Sequence, residues 1–147
     1  MTSQSNIIEQ LNQQGIEFEI LQEGYDPSPD SELSKVVTSW TNKFIGEGTA
    51  PNLDNYLWHI FSFNSTNAID GEQATKKLAE QFDANTLIFN EQQQYLILCK
   101  GRIPKIGMED FCDDLYISHH NMKWTYVIPH EMPDIGPFFS TGTERNE

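Results

Sequence analysis

The second half of the chain contains two pairs of short apolar segments, and five mainly polar residues join the members of each pair. The pairs are residues 86–89 with 95–99 and residues 115–118 with 124–128. Apolar runs of this length, joined by connections this short, predict antiparallel hairpins. Parallel neighbours need a crossover of about a dozen residues or more, so a fully parallel doubly wound sheet is excluded.

Further elements are predicted before these hairpins. Residues 16–20 alternate between apolar and acidic side chains, which predicts a half-buried strand, and residues 56–63 are almost continuously apolar, which predicts a central strand. Amphipathic spacing predicts a helix that starts at Ser3 or Ser5 and a second that runs from Asp30 or Ser31 to Phe44.

A third helix is predicted to begin near Asp70, with Ala74, Leu78 and Phe82 on its inner face. A short fourth helix is predicted over residues 108–113. We therefore expect an α+β fold: a single-layer mixed or antiparallel sheet of five to six strands with three to four helices packed on it.

The length of 147 residues favours one domain over residues 1–147, and the polar end, about residues 141–147, is expected to be a frayed tail. No apolar run is long enough to span a membrane, and the start of the sequence does not resemble a signal peptide. Two cysteines, Cys99 and Cys112, are too few for a disulfide framework. The sequence thus predicts a cytoplasmic protein with free thiols and no membrane partner.

The charge is strongly acidic and unevenly distributed. The formal net charge is -13, and residues 1–34 hold seven of the 22 acidic residues and no Lys or Arg. We call residues 1–34 the acidic N-terminal segment. A nucleic-acid partner is not expected, because phosphate binding requires a basic face. The segment is either a surface for a basic protein, with Glu17, Glu19, Glu23 and Asp26 as the candidate contacts, or a device for solubility.

The sequence contains few signs of catalytic or metal chemistry. It has no nucleophile elbow and no phosphate-binding glycine loop, so no cofactor is expected. The adjacent residues His119 and His120 lack the spacing of a zinc site, and as neighbours they would point to opposite sheet faces or into a turn. No metal site is predicted. Cys99, on a predicted strand, is expected to be a core residue.

His130 and Glu131 are the best candidates for acid–base chemistry, because an imidazole beside a carboxylate can titrate near neutral pH. Neighbouring residues seldom face each other, however. The alternative is that His130 hydrogen-bonds a backbone carbonyl and fixes the tail. The sequence therefore favours a non-catalytic role without excluding an enzyme.

Two motifs carry a resemblance to a known family. Residues 57–62 read Leu-Trp-His-Ile-Phe-Ser, and residues 124–139 contain Trp-Thr-Tyr-Val, His-Glu and Gly-Pro-Phe-Phe in that order. Over about residues 33–139 the chain resembles a family of small uncharacterised bacterial proteins, a domain-of-unknown-function family known from Bacillus relatives. The resemblance implies a fold and a cytoplasmic location, and it implies no activity.

Three functional hypotheses follow. By type rather than by motif, the chain is similar to immunity proteins, which neutralise a basic toxin with carboxylates, so a protein-binding module is the first hypothesis. The second is a small-molecule enzyme in which His130, Glu131, His59 and Tyr126 line a pocket. The third is a structural domain without activity, whose aromatic residues, including Trp58 and Trp124, are core. The oligomeric state is not predicted.

Overall fold

The computed structural model describes residues 3–44, 68–106, 114–129 and 137–142. Its helices and strands, in chain order, are α1 (Ser3–Gln13), β1 (Glu17–Glu23), α2 (Glu32–Phe44), β2 (Ile69–Asp70), α3 (Glu72–Ala79), β3 (Thr86–Asn90), β4 (Tyr95–Lys100), β5 (Leu115–His119), β6 (Thr125–Ile128) and β7 (Phe138–Ser140). The predicted strand at 56–63 and the predicted helix at 108–113 lie outside the described residues, as does most of the predicted tail.

The described strands form one antiparallel sheet in the order β1-β4-β3-β5-β6-β7-β2. The predicted α+β class is thus confirmed, and both predicted hairpins, β3–β4 and β5–β6, are present. The expected number of strands was too low, since the described residues alone contribute seven. The pairing of β2 with β7 was not predicted, because these strands have two and three residues and no periodicity can be detected over such lengths.

Helices cover both faces of the sheet. The face under α1 and α3, here the α1/α3 face, includes the buried residues Ile7, Leu11, Ala74, Ile97 and Ile117. The opposite face, here the α2 face, includes Leu33, Trp40, Phe44, Phe89 and Val127. Every residue of β3, β5 and β6 is buried because helices lie on both sides of these central strands.

A buried polar network joins α2 to the centre of the sheet. The Trp40 indole N–H donates to Thr125 Oγ1 at 2.9 Å, and the same oxygen lies 2.8 Å from Ser118 Oγ. Trp40 also contacts the Tyr116 ring edge to face, with centroids 5.2 Å apart. These contacts satisfy polar atoms that have no access to water and fix where α2 lies on the sheet.

The third helix differs from its prediction at both ends. Asp70 lies in β2 rather than at a cap, and the N-cap is Gly71, with φ of 67° and no side-chain cap hydrogen bond. The helix ends at Ala79, so Phe82 is not on its inner face and is 94% exposed. Beyond Ala79 the chain turns toward β3, and this turn carries Phe82 away from the core.

Candidate functional site

The acidic N-terminal segment contributes an end strand of the described sheet. β1 pairs with β4: Phe18 lies opposite Cys99 and Ile20 opposite Ile97, on the α1/α3 face. Because side chains alternate along a strand, Glu17 and Glu19 lie on the α2 face. α2 packs over the later part of β1 through Leu21, so the two carboxylates remain exposed.

A β-bulge at Leu21 separates the acidic residues of β1. The register shifts between Ile20 and Gln22, and Glu23 then lies opposite Tyr95, a residue of the α1/α3 face. An extra residue in a strand reverses the facing of the residues that follow it. Glu23 therefore points to the opposite side from Glu17 and Glu19, which the alternation over residues 16–20 did not indicate.

The carboxylates of the acidic N-terminal segment are exposed and largely unneutralised. All seven of its acidic residues are exposed. Among the described residues, the ion pair that involves the segment joins Glu19 Oε2 to Lys100 Nζ at 3.7 Å, with both side chains well exposed. A pair in this setting is worth at most about 1 kcal/mol, so the carboxylates contribute little to the fold.

Asp26, the fourth predicted contact, has a local structural role as well. Its Oδ1 accepts the backbone N–H of Ser28 at 3.0 Å, and its backbone carbonyl accepts the Ser31 hydroxyl at 3.2 Å. These bonds shape the connection that leads into α2. Asp26 is exposed, so its carboxylate also contributes to the acidic surface.

A cavity of about 550 Å³ lies on the α1/α3 face, between α3, the loop of residues 101–106 and the sheet. Tyr126 is buried on the sheet side, and its hydroxyl lies 3.0 Å from Thr75 Oγ1. Burial raises the pKa of Tyr126, and the hydrogen bond with Thr75 opposes part of that shift. Among the residues predicted for an enzyme pocket, Tyr126 does line a cavity.

The other members of that predicted pocket are not placed. His130, Glu131 and His59 lie outside the described residues, as do Cys112 and Trp58, so acid–base chemistry stays a prediction. Trp124 is buried, as predicted.

The two adjacent histidines are positioned by ring stacking and hydrogen bonds. The rings of His119, the last residue of β5, and His120, the first residue of the following turn, stack with centroids 4.5 Å apart, so they do not point to opposite faces. His119 Nδ1 accepts the backbone N–H of Asn121 at 3.0 Å, which requires that nitrogen to be unprotonated. Burial lowers the pKa of His119, and electrostatic repulsion from His120 and Lys123 lowers it further. Within the described ranges, no cluster of three or more His, Cys, Asp or Glu side chains is placed to hold a metal ion.

Cys99 is a core residue, as predicted. It is fully buried and free, and burial raises the pKa of its thiol to about 11, while the Thr86 hydroxyl opposite it lowers that pKa in part. A thiol with so high a pKa is protonated at neutral pH and is a poor nucleophile.

Sequence reasoning missed most of the residues that form the cavity. Ile103, Pro104 and Ile106 form one wall although they belong to a loop. Apolar residues on both sides of a proline within a loop are a usable signal, because exposed loops are usually polar. Thr75 gave no signal, since its role depends on Tyr126, which follows 51 positions later.

The described residues thus form an α+β fold with an antiparallel sheet, an acidic strand at one end of that sheet and a cavity on one of its faces. The chain belongs to the family described as a domain of unknown function (DUF4275), whose model matches residues 34–139. The match includes all residues that line the cavity and excludes Glu17, Glu19, Glu23 and Asp26. No curated protein and no solved structure matches the chain. In the described part of the chain, no helix is long and apolar enough to cross a bilayer.

Proposed function

We propose that the protein is a protein-binding module of immunity type, which binds and neutralises a basic protein through the carboxylates of the acidic N-terminal segment. The observation that carries the proposal is the exposure of all seven acidic residues of this segment. Among the residues that the structure describes, the ion pair of the segment joins Lys100 to Glu19. Uncompensated charge at one end of a sheet produces a negative field, and such a field accelerates encounter with a basic partner.

The bulge at Leu21 supports recognition by side chains rather than by strand addition. A bulge interrupts the regular backbone edge that an added strand would need. It also divides the carboxylates, with Glu17 and Glu19 on the α2 face and Glu23 on the other. A basic partner would therefore contact mainly one of these two sets, or would wrap around the end of the sheet.

The test compares charge reversals at matched exposed positions. Wild type, Glu17→Lys/Glu19→Lys, Glu23→Lys and the control Glu72→Lys/Glu80→Lys are used to capture partners from the native extract at low and at physiological ionic strength. The control residues are the first residue of α3 and its C-cap; both are exposed, and their reversal changes the net charge as much as that of the first pair does. A basic protein retained by wild type and control is then titrated against all four forms.

We expect the double reversal on β1 to weaken binding of that basic protein by about tenfold or more, because opposed charges become like charges. Binding by the double variant should also depend less on ionic strength. The effect of Glu23→Lys on affinity should show which face of the sheet contacts the partner. Equal affinity for the β1 double variant and the α3 control would contradict the proposal. So would a retained partner that is acidic.

A further inference from the structure

The cavity on the α1/α3 face is held open by contacts that fix its loop wall from two sides. Gln14, just after α1, donates from Nε2 to the Lys105 carbonyl at 2.7 Å and accepts the Lys105 N–H at Oε1 at 2.9 Å. From the other side, Asn85 Oδ1 accepts the Gly101 N–H at 2.7 Å, and Asp83 Oδ1 accepts the Ile103 N–H at 3.3 Å. A wall fastened at both ends keeps its shape without a ligand.

The lining combines aliphatic walls with a pair of hydroxyl groups, and it also includes the polar residues Gln81, Asp83 and Lys105. Leu78, Ile103, Pro104, Ile106 and Ile117 supply apolar surface. Tyr126 and Thr75 form a hydrogen-bonded pair in which one hydroxyl donates to the other, so the pair keeps one hydroxyl hydrogen and several lone pairs. Apolar walls around a few convergent polar groups, in a volume of about 550 Å³, are typical of small-molecule sites.

The same surroundings disfavour a charged ligand. Burial raises the pKa of Tyr126, which means that an anion at this position is less stable than in water. The lining carries one carboxylate, Asp83, and one ammonium group, Lys105, so its side chains together favour neither sign of charge, while the net charge of the chain, -13, disfavours an acid. A cation would lose its hydration against the aliphatic walls. An uncharged oxygen that both accepts and donates hydrogen bonds suits the hydroxyl pair.

We propose that this cavity binds an uncharged, mainly aliphatic small molecule of the alcohol or ketone class, whose oxygen hydrogen-bonds the hydroxyl pair of Tyr126 and Thr75. None of the β1 carboxylates lines the cavity, so this proposal stands independently of the partner proposed above. Chain methylenes would pack between α3 and the loop of residues 101–106, where Leu78 and Ile103 lie.

The test titrates the full-length ¹⁵N-labelled protein with 1-octanol and, separately, with octanoate, which has the same chain length but a charged end. Amide chemical shifts are followed by NMR. We expect saturable shifts with 1-octanol, confined to residues that line the cavity, and binding of octanoate that is weaker by about tenfold or more because its charge must lose hydration.

Three variants distinguish the cavity from general surface binding. Ala79→Phe adds a large side chain at an exposed lining position and should abolish the shifts, while Gln73→Phe adds the same side chain on the opposite side of α3 and should preserve them. Tyr126→Phe removes the hydroxyl and should weaken 1-octanol binding by roughly 2- to 10-fold, with little effect on octanoate.

Each alternative result overturns the proposal. Absence of saturable shifts in the wild type would show that the cavity binds no ligand of this class. Shifts that persist in Ala79→Phe would place binding elsewhere on the surface. Octanoate that binds as tightly as 1-octanol, or a Tyr126→Phe variant with unchanged affinity, would refute the uncharged oxygen class.

Discussion

Polar side chains at the centre of the sheet are buried and hydrogen-bonded to one another, whereas those at its acidic end are exposed to solvent. At the centre, the polar atoms of Trp40, Thr125 and Ser118 are shut away from water and satisfy one another. At the end, Glu17 and Glu19 face solvent with one weak ion pair between them and Lys100. Polar groups at the centre therefore fix the structure, while the charges at the end are available to bind something else.

The largest expected effect comes from removing the central aromatic anchor. Trp40→Ala should lower the free energy of unfolding by about 3–5 kcal/mol, since it deletes a fully buried indole between Phe44 and Tyr116. Denaturant titration measures the change. The control is Thr38→Ala, at an exposed position of α2, which should stay within about 0.5 kcal/mol of wild type. Similar losses of unfolding free energy in both variants would contradict the claim that Trp40 anchors α2 on the sheet.

A smaller effect is expected from the hydrogen-bonded hydroxyl alone. Thr125→Val keeps the side-chain volume but leaves the Trp40 N–H without its acceptor, so the free energy of unfolding should fall by about 1–3 kcal/mol. Thr125→Ser retains the hydroxyl and should lose less. If denaturant titration found the valine variant as stable as wild type, the buried polar network would not contribute to the stability of the fold.

The smallest effect is expected at the acidic end. Glu17→Gln/Glu19→Gln removes two exposed charges and the pair with Lys100, and it should change the free energy of unfolding by no more than about 0.5 kcal/mol. Thermal and denaturant unfolding would both report this. A loss above about 1 kcal/mol would mean that the acidic end supports the fold as the centre does.

Strong periodicity explains which elements the sequence predicts. α1 and α2 could be predicted because their apolar residues repeat at helical spacing, and the two hairpins because short apolar runs are joined by short polar connections. β2 and β7 are too short to show a period, and their pairing depends on residues 70 positions apart, such as Ile69 and Phe139.

The candidate sites were predicted unevenly for a related reason. Exposure of Glu17 and Glu19 follows from local alternation, but the bulge that turns Glu23 away begins beyond the alternating stretch. The cavity depends on contacts distant in sequence, such as Gln14 with Lys105, which are 91 positions apart. No local sequence pattern predicts the position of the loop that forms the cavity wall, because that position is set by contacts with Gln14 near the start of the chain.

The antiparallel sheet combines near and distant pairings, and this has a consequence for how the chain folds. Its central hairpins close loops of four and five residues, whereas β1 reaches β4 through pairs such as Phe18 with Cys99, about 80 positions apart. Closing a long loop costs more chain entropy than closing a short one, so we expect β1 to join after the hairpins. Until then β4 presents an open backbone edge that other chains could pair with. In that interval the charge carried by β1 and its neighbours would keep unfinished molecules apart.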